Sequence, residues 1–187
     1  ERAHERLGVA RSRMTVIPHG VNDRFLSAGA GSREDEIAFP PFFLMVGNST
    51  RHKNVHGVID ALAQLRERVP ELSLRVVGNG SEYGRLTRLA DEFGVGDRVR
   101  LMSQVPDEDV IEMMRTAVGL VFPSLLEGFG LPIAESLWHA RPCICADFGA
   151  MSEVAEGGGC LQVDVSRVEK VAAGIRELLA NPDRRRE

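Results

Sequence analysis

Glu127 and Glu135 flank the stretch Gly128-Phe129-Gly130-Leu131-Pro132. Gly128 and Gly130 let the backbone come close to a ligand, and Pro132 suits the first turn of a helix that opens at Leu131. The free N–H groups of such a helix start form an anion cradle. Glu127 precedes the cradle and Glu135 lies about one turn inside the helix, so both can accept hydrogen bonds from hydroxyls. A lone Glu reads as a solvated carboxylate. Phosphate donors between two hydroxyl acceptors instead suit a nucleotide joined to a sugar.

A second loop, Gly47-Asn-Ser-Thr-Arg-His-Lys-Asn54, sets Arg51 and Lys53 just before a helix start. Two cations beside free N–H groups favour a phosphate held by Lys53 or Arg51, against the plainer reading of a solvated basic loop. A third, Gly78-Asn-Gly-Ser-Glu-Tyr-Gly84, loosely matches a dinucleotide-binding turn. That reading also needs an acid at the end of the next strand, and Arg100-Leu-Met-Ser-Gln104 has none, so these glycines read as a tight turn near a ligand. A fourth, Asp147 to Glu153, has capping potential at Ser152 and completes a cleft wall. Cys143 and Cys145 would share a strand face where two metal ligands are conceivable; with no cluster to complete a ligand set, they read with Cys160 as reduced, buried small hydrophobes.

The elements that must position these loops follow from apolar patterning. The continuous apolar run Phe42–Val46, and short, largely apolar stretches at Leu74–Val77, Val99–Met102, Gly119–Phe122, Pro142–Cys145 and Leu161–Val163, predict strands. Helices are expected from Asn54, as N-cap, through about Val69, then from Ser81 to Phe93, from Asp107 or Pro106 with Val110, Ile111, Met113 and Met114 inward, and from Leu131 to Trp138. A helical turn over Met151–Ala155 and a last helix over Ser166–Ala180 complete the set. Strands alternating with helices imply right-handed crossovers and a doubly wound α/β, Rossmann-like parallel sheet of about six strands. Ligands then bind in the loops at the carboxyl ends of the strands. Ahead of this pattern, Met14–Ile17 reads as a short strand, Pro18–Asn22 as a turn and Ser27–Ser32 as an exposed loop.

The 187 residues hold 23 Lys+Arg against 27 Asp+Glu, a net charge of −4 that disfavours nucleic acid as a partner. No apolar run of about 18 residues is present, so no transmembrane segment is expected. The first residues do not resemble a signal peptide, and with three cysteines the expected setting is cytoplasmic. The chain opens on Glu1 inside a charged segment and reads as a piece of a longer protein.

Taken together, Val16-Ile-Pro-His-Gly-Val-Asn22, Val46-Gly47, Lys53-Asn54, Val77-Gly-Asn-Gly80, Pro123-Ser and Glu127-Gly-Phe-Gly-Leu-Pro to Glu135 resemble the carboxyl-terminal, donor-binding half of retaining GT-B glycosyltransferases of family four, the group 1 type. The resemblance implies residues 1–35 as interdomain lead-in and 36–187 as the nucleotide-sugar domain, with the amino-terminal acceptor domain outside this chain. It implies Gly47, Arg51 and Lys53 at the donor diphosphate, Glu127 on the transferred sugar, Gly128, Phe129, Gly130 and Leu131 giving backbone N–H bonds, Glu135 on the ribose, and the base near Met102–Gln104 and Gly78–Gly80. Many relatives carry Arg or Lys where this chain has Asn48, and Arg51 is the expected substitute. The donor would be a GDP-, UDP- or dTDP-linked sugar with no further cofactor, metal-free since no Asp-x-Asp motif lies near the cleft. The acceptor would be a glycan or lipid-linked glycan in surface-polysaccharide assembly, with mannosyl transfer one expectation and peripheral association with the inner face of the membrane another. This chain alone is expected to bind donor weakly and to transfer nothing. The alternatives are a non-catalytic nucleotide-sugar module and a nucleotide-sugar 2-epimerase.

Overall fold

In the computed structural model, which describes residues 6–15, 17, 19–27 and 37–182, the apolar runs assemble into a single sheet. Strands β1 (Phe42–Val46), β2 (Ser73–Val77), β3 (Val99–Met102), β4 (Gly119–Phe122), β5 (Cys143–Ala146) and β6 (Cys160–Val163) are all parallel, in the order β3-β2-β1-β4-β5-β6. The inner strands β4 and β5 are buried along their whole length, as continuous apolar runs require, whereas edge strand β3 is not. Helices α2 (Val55–Leu65), α3 (Tyr83–Glu92), α4 (Asp107–Thr116), α5 (Leu131–Trp138) and α6 (Gly149–Ala155) form the crossovers, and α7 (Val168–Ala180) follows β6. Short helix α1 (Asp23–Ser27) precedes the sheet and contacts α5. Helix α2 packs on α3 and α7, while α5 packs on α6.

Phe42, Phe43, Leu44, Leu120 and Ile144 are at most 1% exposed and form the centre of the core. Each such side chain contributes about 1.5–3 kcal/mol through burial. The four α4 residues expected to face inward are all buried. Between β1 and β4 the crossovers diverge, one leading to β2 and the other to β5. That divergence opens a crevice at their carboxyl ends.

Several local expectations need correction. Helix α2 ends at Leu65 rather than Val69, because Pro70 disfavours helical backbone at the residue before it. Asn54 occupies the N-cap position in a left-handed conformation (φ 55°), and its side chain does not cap; it donates to the Val165 carbonyl at 2.8 Å instead. Helix α6 starts two residues before the expected turn, and Ser152 lies inside it, donating to Gln162 Oε1 at 2.8 Å rather than capping. Met14, Thr15 and Ile17 form no strand, since no neighbouring strand pairs with them and Ile17 is 82% exposed. Val16, Pro18 and most of the Ser27–Ser32 loop lie outside the described residues.

Candidate functional site

The loops after β1 and β4 meet at the crevice because backbone bonds hold them there. Leu125 donates its N–H to the His52 carbonyl at 2.7 Å, joining the two loops directly. Gly47 donates to Val77 at 2.9 Å and Ser49 to Asn79 at 3.1 Å, which ties the first loop to the end of β2. The Ser49 hydroxyl also accepts the Glu82 N–H at 3.1 Å, at the start of α3. At Gly78 an added Cβ would strike the Gly47 carbonyl, so only glycine allows this approach of two loops.

Lys53 emerges from a short 3-10 turn, Arg51–Lys53, and its ammonium forms an ion pair with Glu127. Its Nζ lies 5.1 Å from the centre of the Phe122 ring, and its chain passes over Gly47, where a Cβ would sit 3.6 Å from Cε and Nζ. Met45, Val46, Gly47, Lys53, Phe122, Pro123 and Ser124 are among the residues lining a small recess here, between β1 and β4. One cation and one carboxylate thus converge at the switch in strand order, on an aromatic floor.

Gly130 takes a left-handed conformation (φ 101°) that its lack of a side chain permits, and its carbonyl accepts the Ile133 N–H at 2.9 Å as α5 begins. Among the described residues no hydrogen bond occupies the N–H groups of Gly128, Phe129, Gly130 or Leu131, and nothing would obstruct a Cβ at Gly128. These amides are therefore open donors at the start of α5. Glu135, on the same helix, is 8% exposed, and its carboxylate has no hydrogen-bond or ion-pair partner among the described residues. Burial raises its pKa above the ordinary carboxylate value, with a smaller contribution from the Asp107 carboxylate. Its oxygens are not among the fully buried, unpartnered side-chain atoms, so they reach solvent and can accept a ligand hydroxyl.

Beside this recess, over β2 and β3, lies an open cleft of about 670 Å³ lined by Gly78, Asn79, Gly80, Ser81, Ser103 and Gln104. Met102 supports the cleft: its carbonyl accepts the Gly78 N–H at 3.0 Å and lies 2.8 Å from the Tyr83 hydroxyl. The Gly78 and Val76 carbonyls are also within 3.0 and 3.3 Å of that hydroxyl, which can donate to one carbonyl at a time. Arg51 does not join Lys53. It lines a separate cleft with Thr50, His56, Ser81, Glu82 and Arg85, where burial, then Arg85 and Arg51, lower the His56 pKa.

Sequence reasoning missed four participants. Tyr83 is the single tyrosine of the chain and follows the Gly78–Gly80 turn, a signal that was available. Asp107 reads in the sequence only as a helix start; it is the first residue of α4 and pairs with Arg24 at 2.8 Å. Phe122 is an apolar strand residue with no separate signal. His19, in the lead-in segment, meets Phe129 edge-on at 5.4 Å between ring centres, a contact that only the fold reveals. Cys143 and Cys145 are buried in β5, where burial pushes the Cys143 thiol pKa up.

Comparison with known proteins places this geometry. Residues 33–187 match the family described as Glycosyl transferases group 1. A D-inositol 3-phosphate glycosyltransferase of Nocardiopsis dassonvillei is 33% identical over 194 residues, covering 95% of this chain and 45% of that protein. The O-antigen chain mannosyltransferase B of Escherichia coli is 31% identical over 149 residues, covering 77% of this chain and 38% of that protein. The chain thus spans less than half the length of these relatives. Among solved structures, the C-terminal domain of a group 1 glycosyl transferase from Francisella tularensis superimposes with a TM-score of 0.67 at 16% identity, covering 90% of this chain and 86% of that one. Anabaena Alr3699/HepE, solved in complex with UDP and glucose, does so with a TM-score of 0.80 at 20% identity, covering 98% of this chain and 52% of that one. The chain belongs to the glycosyl transferases group 1 family and has the fold of a GT-B carboxyl-terminal domain.

Proposed function

We propose that this chain is the donor-binding half of a retaining glycosyltransferase, with residues 36–187 as the nucleotide-sugar domain and 1–35 as the lead-in from an amino-terminal domain that binds a glycan or lipid-linked acceptor. The observation that carries this reading is the meeting of Lys53 and Glu127 at the β1/β4 switch, followed directly by the open N–H groups of Gly128–Leu131, with Glu135 one turn further along the same helix. Lys53 and the α5 start hold the diphosphate, Gly47 gives it room, Glu127 accepts sugar hydroxyls, and Glu135 accepts a ribose hydroxyl. The base lies in the cleft between Gly78–Gly80 and Ser103–Gln104.

In transfer, the bond from the anomeric carbon to the diphosphate breaks and negative charge develops on the leaving phosphate. Fixed donors aimed at that charge stabilise the transition state, and here they are the Lys53 ammonium and the α5 amides. The acceptor oxygen attacks on the face from which the diphosphate departs, and its hydroxyl proton passes to the departing phosphate. Glu127 acts as a positioning and electrostatic group rather than as a nucleophile. The similarity to an O-antigen mannosyltransferase supports mannosyl transfer in surface-polysaccharide assembly. The protein we propose is cytoplasmic, peripheral to the inner face of the membrane when its acceptor is lipid-linked. No helix among the described residues is long and apolar enough to cross a membrane.

The test is nucleoside diphosphate release by the full-length enzyme, with acceptor and with UDP-, GDP- and dTDP-sugars. Wild type is expected to turn over one of these, Glu127→Ala to lose transfer, and this chain alone to transfer nothing. Unchanged transfer by Glu127→Ala would remove its assigned role.

A further inference from the structure

Among the described residues, the one charge partner of Lys53 is Glu127. The two side chains are 18% and 14% exposed, so the pair is largely withdrawn from water. Taking one partner away from such a pair leaves an uncompensated charge in a poor solvent for it. Phe122 beneath the ammonium and Gly47 beside the chain hold Lys53 at this spot, so a diphosphate entering the recess has to draw it from Glu127.

We propose that Glu127, as the resident counter-ion of Lys53, makes the recess select a nucleotide-diphosphate sugar over the free nucleoside diphosphate. The inference rests on the donor-site reading above. A free nucleoside diphosphate takes the ammonium and leaves Glu127 mostly buried, without a donor, facing another negative group. A nucleotide sugar brings the same two phosphates with less negative charge, because the terminal one is esterified. It also brings sugar hydroxyls to the carboxylate. Glu127 then exchanges one donor for others instead of losing its only one. Once the sugar has been transferred, the hydroxyl donors leave with it, the Lys53–Glu127 pair re-forms, and the diphosphate product is expelled.

Calorimetric titration of this chain with UDP, GDP, UDP-glucose and GDP-mannose tests this. Glu127→Gln, which keeps the shape and removes the charge, is expected to bind the free diphosphate that wild type accepts about tenfold more tightly, with a smaller gain for its sugar form. Glu127→Ala provides the same comparison if the Gln variant does not fold. In a Lys53→Met background the gain should vanish, because no ammonium remains to be released. A folded Glu127 variant that binds free diphosphate no more tightly than wild type overturns the inference and leaves the donor reading intact. A gain that persists with Lys53→Met overturns it as well, since it then reflects overall charge. Folded wild type that binds none of the four ligands, nor dTDP or dTDP-glucose, overturns both readings.

Discussion

The two recesses on the carboxyl edge of the sheet are neighbours, yet they are built from different materials. Between β1 and β4 the space is small, and its polar content is one ion pair, a row of open amides and a buried carboxylate nearby. Over β2 and β3 the space is several times larger and is lined by glycine, serine and amide residues without a formal charge. Charge can recognise a diphosphate, whereas backbone and small polar groups recognise a flat heterocycle by shape and edge. Mutations should therefore act strongly in the first recess and weakly in the second, except where the second supports the first.

The most damaging change should be Lys53→Met. In the full-length enzyme, loss of the fixed cation facing the leaving group is expected to cut steady-state diphosphate release by about 100- to 1,000-fold. A loss under about threefold would place the neutralising charge elsewhere, with Arg51 the first residue to examine. Next comes Gly78→Ala, on the seam between the recesses. Its methyl group meets the Gly47 carbonyl, so overpacking should cost about 1–3 kcal/mol and lower Tm by about 2–12 °C in a thermal melt. An unaltered melt would mean that the seam gives way easily.

Glu135→Gln should have opposite effects on binding and stability. Replacing a charged acceptor by a neutral one should weaken donor binding by several-fold, about 1 kcal/mol. Stability should move the other way. The folded pKa of Glu135 is raised, so its contribution to stability is full below the unfolded value of about 4.5 and is lost as pH rises through the folded value. The Gln variant should therefore melt higher than wild type near neutral pH, with the difference shrinking towards about pH 4.5. A difference that grows on acidification would show that the carboxylate has a partner in the fold. Smallest of all, Gln104→Ala in the open cleft should change nucleotide affinity by less than about threefold, or 0.7 kcal/mol. A larger loss would mean that this cleft reads the base through side chains after all.

The same contrast explains what the sequence disclosed. Fold class and all six strands were legible within a residue or two, because short, largely apolar stretches alternating with helical patterns leave few alternatives to a doubly wound sheet. Glu127, Glu135 and Lys53 were legible because charge beside glycine and a helix start is unusual and has a chemical use. Their pairing was not legible, since Lys53 and Glu127 lie 74 residues apart and meet only through the β1/β4 crevice. Arg51 shows the limit of spacing arguments: two residues from Lys53, it faces another cleft because the 3-10 turn carries it round. Asn54 shows another, as a good capping residue was drawn away by a carbonyl 111 positions along the chain. Tyr83 could have been found, but its three carbonyl neighbours come from β2, the turn just after it and the end of β3, whose alignment a local reading does not contain.

Amide chemical-shift mapping of this chain during titration with UDP-glucose and GDP-mannose would locate the donor most directly. Binding at the β1/β4 switch predicts the largest saturable shifts at Gly47–Asn54 and Gly128–Leu131, smaller ones at Gly78–Gly80 and Ser103–Gln104, and their loss in Lys53→Met. Shifts confined to Thr50, Arg51, His56 and Arg85, or a pattern unaffected by Lys53→Met, would contradict that placement.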